Sequence, residues 1–210
     1  MIANKFLALR AIFSNDSPKG YQPFRSFNSK ISLIVASPSA LKLAEPTDAL
    51  YRIKRGLSAY VSYLAACDMN QAFSEYVLYE PVLRILTAKG YVVSCEVEAP
   101  GIQQSARGDK KRIDFVALGH GIEFALEVKW ARDTKIGIAR DIEKLVGFQQ
   151  QKPRSLSLLC VFGRQSHLEK LELPPRTFKE RGQAVYADLR KTKFGCRIFA
   201  LLPAIEREAK

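Results

Sequence analysis

Residues 112–130 read RIDFVALGHGIEFALEVKW, and the fold is decided there. Apolar residues recur at alternate positions on both sides of Gly119-His120-Gly121, which predicts two antiparallel strands joined by a tight, glycine-rich turn. Charge interrupts this pattern at three places. Asp114 stands between Ile113 and Phe115, and Glu127 and Lys129 flank Val128. Successive side chains on a strand leave opposite faces, so Glu127 and Lys129 point one way and Val128 the other. Burying a carboxylate and an ammonium costs several kcal/mol unless they pair, bind a metal or meet a phosphate. Asp114, Glu127 and Lys129 on one face of one hairpin therefore read as a site.

Working outward, Tyr91 to Glu98 alternates as a strand before the hairpin and stops at Ala99-Pro100-Gly101. A helix is expected from about Asn70 to Lys89, closed by Gly90. Before it, Glu45-Pro46-Thr47-Asp48 marks a helix start with Thr47 or Asp48 as N-cap, and Ala49 to Ala66 continues at helical spacing. After the hairpin, Ile136 to Gln151 reads as a helix and Leu156 to Phe162 as a buried strand. Strand, helix, strand implies a crossover into a partly parallel sheet. The tail carries a basic, helix-like stretch around Arg176 to Arg190 and a last strand, Cys196 to Leu202. The expected organisation is an irregular N-terminal arm over 1–44, a packing helix over 45–69 and one α/β domain over 70–205.

Composition narrows the function classes. Lys and Arg number 33 against 21 Asp and Glu, a net charge of +12, which favours a polyanionic partner through phosphate neutralisation. No apolar run approaches the roughly 18 residues of a membrane span. The four cysteines are widely spaced and the two histidines lie far apart, which argues against a zinc module or a disulfide framework and excludes histidine-centred nucleases. The thiols read as buried and apolar, and the chain as a soluble, cytoplasmic protein of a reducing compartment. An organellar transit segment at the N-terminus stays open. Oligomeric state is not readable, and a dimer is one option.

Carboxylates such as Asp114 and Glu127 suit a hard divalent cation, and the backbone carbonyl of Val128 could add an oxygen. Lys129 could orient a water or stabilise charge on a phosphorane-like transition state. Ile113-Asp114-Phe115, a gap of twelve residues and Glu127-Val128-Lys129 resemble the PD-(D/E)XK nuclease superfamily, over roughly residues 71 to 165. The superfamily's proline before the first aspartate is replaced by Arg112-Ile113.

The resemblance implies a restriction-endonuclease-like core of helix, three strands, helix and strand, a mixed central sheet flanked by helices. It implies a Mg²⁺ cofactor, with Mn²⁺ as substitute, and hydrolysis of phosphodiester bonds, DNA first. It also implies an acid on the first core helix that faces the metal and helps to hold it. Glu75 falls near the centre of the stripe formed by Leu78, Tyr79, Val82, Leu83, Ile85 and Leu86, whereas the alternative, Glu80, points away. Glu96 and Glu98 read as edge-strand charges or outer partners of the site. Asp141 and Lys144 on the following helix would lie near its mouth, and Gln149 could touch a phosphate, although a solvated helix face accounts for this stretch as well. Arg107, Lys110, Lys111 and Arg112 make the loop into Asp114 positive, where a phosphate backbone would run. Trp130 either stacks on a base or closes the core. A nucleic-acid-binding protein of the same fold that does not cut is the alternative function.

Overall fold

The computed structural model describes residues 46–69, 73–103, 110–189 and 191–204. The expected arm over 1–44 and Arg107 lie outside the described residues. The elements run in the order α1 (Thr47–Ala66), a 3₁₀ turn (Glu75–Leu78), α2 (Tyr79–Ala88), β1 (Val92–Glu98), β2 (Arg112–Gly119), β3 (Ile122–Ala131), α3 (Ala139–Gln151), β4 (Leu156–Arg164), α4 (Gln165–Glu169), β5 (Phe178–Glu180), β6 (Val185–Ala187) and β7 (Phe194–Leu201). Together they form an α/β structure around a mixed, open seven-stranded sheet.

The sheet order is β1-β2-β3-β4-β7-β5, with β6 also on β7. Among the described strands only β3 and β4 run parallel, from Phe124 beside Leu156 to Ala131 beside Gly163, as the crossover through α3 requires. β2 and β3 meet in a two-residue turn, His120-Gly121, with φ of +52° and +73°. Both positive values define a hairpin turn whose twist matches that of the strands.

Each face of the sheet carries its own core. On one side α1, the 3₁₀ turn and α2 bury Ile53, Leu57, Leu78, Val82 and Leu86 against Phe115, Leu126, Val128, Cys160 and Ile198. On the other α3 sets Ile138, Leu145 and Phe148 against Ala125, Ala131, Leu159 and Val161. Gly147 lets α3 approach the turn after β1, because a Cβ there would sit 2.5 Å from the Pro100 carbonyl oxygen.

Several expectations are corrected. The helix expected over 70–89 is a 3₁₀ turn followed by α2, and Pro81 occupies the first turn of α2, where a missing N–H costs no helical bond. The N-cap of α1 is Pro46; Asp48 lies within the first turn, where its charge meets the positive helix end. That helix packs its apolar face into the core. The tail forms the short strands β5 and β6 in place of a helix, both satisfying the outer edge of β7. Cys67 and Cys95 are exposed, so only Cys160 and Cys196 match the buried-thiol reading. No described helix is long and apolar enough to cross a membrane.

Candidate active site

The β2–β3 ladder runs only from Gly119 beside Ile122 to Phe115 beside Leu126. Beyond that pair the strands diverge, and β2 turns over: Phe115 packs on the α1 side and Ile113 on the α3 side. Asp114 stands at this turn. It is therefore not on a regular shared face with Glu127 and Lys129, as strict alternation predicted, but at the splayed edge between the two strands. Where β2 leaves, acidic side chains take over the exposed amides of β3. Asp114 Oδ2 accepts from Val128 N–H at 2.7 Å, and Glu75 Oε1 accepts from Trp130 N–H at 3.1 Å. Amide and carbonyl of one residue leave a strand on the same edge, so the Val128 carbonyl also faces this gap.

Glu127 and Lys129 point toward α3, which presents Asp141 and Lys144 one turn apart. Lys144 Nζ lies 2.6 Å from Glu127 Oε2, 3.0 Å from Asp141 Oδ1 and 3.0 Å from the Arg112 carbonyl oxygen. Lys129 Nζ lies 3.2 Å from Asp141 Oδ2 and 3.6 Å from Glu75 Oε1. The chain Glu75, Lys129, Asp141, Lys144, Glu127 is thus continuous. Tyr79 reaches in from α2, its hydroxyl 2.5 Å from Asp114 Oδ1 and 2.8 Å from Glu96 Oε1. A phenol carries one hydrogen, so it satisfies only one of these two carboxylates at a time. Glu96 holds its backbone at φ +52°, a conformation costly for a residue with a side chain.

Glu127 is 2% exposed, and its Oε1 has no hydrogen-bond partner. Burial pushes its carboxyl up from the ordinary 4.5 to about 9; the Asp114 charge adds to this and Lys144 opposes it. Burial raises Asp114 as well, against the hydrogen bonds from Tyr79 and Val128 N–H. For Lys129 burial works downward, but Asp141 and Glu75 outweigh it and the ammonium is held above its usual range. Burial works against the Lys144 ammonium too, and Glu127 and Asp141 outweigh it. Burial, then the Asp114 carboxylate, raises the Tyr79 phenol.

The site opens into a cavity of about 660 Å³. Glu75, Tyr79, Glu96, Asp114, Lys129, Asp141 and Lys144 line it, with Lys110, Lys111, Arg112 and Arg140 at its basic rim. Glu80 is outside it, paired with Arg84 on the exposed side of α2. Gln149 does not line it. Lys110 pairs with Glu98, and Lys111 with Glu143 at 2.9 Å.

Three participants were undervalued by sequence reasoning. Asp141 is 7% exposed and central, not on a solvated helix face. Its position in the buried series Ile138, Asp141, Leu145, Phe148 was the available signal. Lys144 lies deep against Glu127 rather than at the mouth, and Tyr79 was read only as part of an apolar stripe.

A divalent cation fits this donor set within limits the geometry defines. Among the described residues, no three His, Cys, Asp or Glu side chains are gathered closely enough to hold an ion. Glu127 and Asp114 are two mutually repelling carboxylates, one with a buried, unpartnered oxygen. Mg²⁺ commonly takes one or two carboxylates and completes its shell with water and substrate phosphate, which suits such a pair. The chain matches no protein-family model, no curated protein and no solved structure.

Proposed function

We propose that this chain is a Mg²⁺-dependent nuclease built on a restriction-endonuclease-like core, hydrolysing phosphodiester bonds, in DNA before RNA. The observation that carries the reading is Glu127: a carboxylate buried beside Asp114 at a splayed hairpin, with one oxygen left without a partner. A stable core would fill that position with an apolar side chain. The order of elements supports the reading too, since α2, β1, β2, β3, α3 and β4 follow the succession of the PD-(D/E)XK core.

Asp114, Glu127 and the Val128 carbonyl would hold the cation, with Mn²⁺ as substitute. Such an ion supplies Lewis-acid polarisation of the phosphate and acidifies a bound water. Lys129 is positioned by Glu75 and Asp141, which keep its ammonium charged at the cavity wall. From there it can accept hydrogen bonding from no one and donate to water or a phosphoryl oxygen. Lys110, Lys111, Arg112 and Arg140 would seat the phosphate backbone. Cleavage of plasmid and oligonucleotide substrates with Mg²⁺ or Mn²⁺ tests the reading. Glu127→Ala and Lys129→Ala should each lower it severely, and a double variant that cuts at the parent's rate would sink the proposal.

One observation favours a second reading, a nucleic-acid-binding protein that does not cut. Lys144 Nζ already sits 2.6 Å from Glu127 Oε2 and neutralises it. If that ammonium permanently takes the place of a cation, binding persists in chelator, no divalent ion is bound, and no product forms.

A further inference from the structure

Trp130 follows Lys129 on β3 and so leaves the opposite face of the sheet. Its ring stacks over Phe162 with centroids 6.2 Å apart and meets Phe73 edge-on at 5.7 Å; Phe73 in turn meets Phe194 edge-on at 5.3 Å. Of these rings Phe73, Trp130 and Phe194 line a second cavity, of about 350 Å³, at the carboxyl ends of the parallel pair β3 and β4. Binding pockets of open α/β sheets favour that end. Arg132, Arg164 and His167 form its rim. The Arg132 guanidinium lies 4.5 Å from the centroid of the Trp130 ring. No described carboxylate pairs with Arg132 or Arg164, so the rim carries uncompensated positive charge. His167 Nδ1 lies 3.3 Å from the Ala131 carbonyl, an acceptor only, which puts a proton on Nδ1.

Phe162 stacks on the indole and the guanidinium of the exposed Arg132 covers it, so a flat ring reaches Trp130 by lifting that side chain outward, and the unpaired arginines suit the phosphate attached to the ring. The cavity is at the small end of ligand sites, the scale of a single nucleotide. It also shares a wall with the first cavity. Phe73 lines the aromatic one, while Glu75, two residues on, lines the other and accepts from Trp130 N–H. We propose that this pocket binds one unpaired nucleobase of a single-stranded segment, which stacks on Trp130 in place of the exposed Arg132 side chain and is covered by that side chain from its far side, beside the scissile site. The proposal rests on the nuclease reading for its substrate, but not on cleavage.

Trp130 is the chain's single tryptophan, so its fluorescence reports on this pocket alone. The full chain, in chelator to prevent cutting, is titrated with a single-stranded thymidine oligonucleotide and with a blunt duplex of equal length; anisotropy of a label on the nucleic acid follows binding independently. The single strand should quench Trp130 saturably, the duplex should bind without quenching, and Arg132→Ala and Arg164→Ala should each weaken single-strand binding roughly tenfold. Binding without quenching, equal quenching by duplex, affinity unchanged in both variants, or no binding of the single strand would each overturn the pocket. A parallel Mg²⁺ assay separates the two ideas. Quenching without cleavage leaves the pocket standing and removes the nuclease, whereas cleavage without quenching removes the pocket alone.

Discussion

Two lysines are drawn into the body of the protein, and their surroundings differ in kind. Lys54, on α1, is 3% exposed and donates to the Arg181 carbonyl at 2.8 Å and the Gln183 carbonyl at 2.7 Å. One and two turns on, Ser58 Oγ lies 2.8 Å from the Val185 carbonyl and Ser62 donates to that of Ala187 at 3.2 Å. This polar stripe ties α1 to β6 and the loop before it, with every buried side-chain atom satisfied. Lys144, on α3, is set among carboxylates instead. After its contacts are made, Glu127 Oε1 has no partner, and Asp141 Oδ2 has only a poorly aligned ammonium 3.2 Å away. Both regions bury charge, but only the first is complete. A junction that serves the fold satisfies its polar atoms, and the one that does not is the one proposed above to hold a cation.

The sharpest way to break this contrast is through activity. Glu127→Ala and Lys129→Ala should each lower Mg²⁺-dependent cleavage by roughly a thousandfold, the scale of losing one group that acts in the transition state. Lys54→Met should leave the rate per folded molecule unchanged. A comparable loss of turnover in Lys54→Met would erase the distinction between the two regions.

Stability against pH separates them next. Glu127 titrates near the ordinary 4.5 when unfolded and near 9 when folded, so between those values the folded chain binds more protons. Its contribution is fully present below the unfolded pKa and is lost as pH rises through the folded one. The slope approaches about 1.4 kcal/mol per pH unit at most. Glu127→Gln should flatten the fall between about pH 4.5 and 9 in denaturant unfolding of the metal-free protein. Saturating Mg²⁺ should stabilise the parent, by about 2.7 kcal/mol at a hundredfold excess over Kd, and should not stabilise Glu127→Gln equally. Equal shifts in both would place the cation elsewhere.

Lys54→Met should cost about 2 kcal/mol in the same unfolding assay, because two buried carbonyls lose their donor. The methionine stem replaces much of the packing, so the loss isolates the hydrogen bonds. An unchanged unfolding midpoint would mean that water satisfies those carbonyls and that the α1–β6 junction is less closed than its geometry indicates.

The parts legible in the sequence were those set by local periodicity. RIDFVALGHGIEFALEVKW gave the hairpin, its turn and the shared direction of Glu127 and Lys129, and Leu156 to Phe162 gave the buried parallel strand. Three things were hidden because they depend on contacts between distant segments. The tail became strands because β7 had an edge to cover, a demand that residues 176–190 do not carry themselves. Asp114 left strict alternation because β2 diverges from β3 after Phe115, where long-range packing overrides the period of two. Lys144 and Asp141 were discounted because a charged helical residue is usually solvated, and only the crossover places α3 over Glu127.

Tyr79 offers the smallest and most discriminating change. Its hydroxyl stands between Asp114 and Glu96, 35 and 17 residues away in sequence. Tyr79→Phe keeps the ring, and with it the packing on Phe115 at 4.8 Å between centroids, so the fold should lose no more than about 1 kcal/mol. What changes is the pair of carboxylates, which then face each other without the shared phenol proton. If Asp114 belongs to the incomplete region, cleavage should fall about tenfold and the Mg²⁺ requirement should shift, since a freed Asp114 oxygen is left for the cation. Such a shift in the Mg²⁺ concentration giving half-maximal rate is a response that a purely structural tyrosine would not produce. A Tyr79→Phe protein with unaltered Mg²⁺ dependence and reduced stability would instead assign Tyr79 to the completed framework, alongside Lys54.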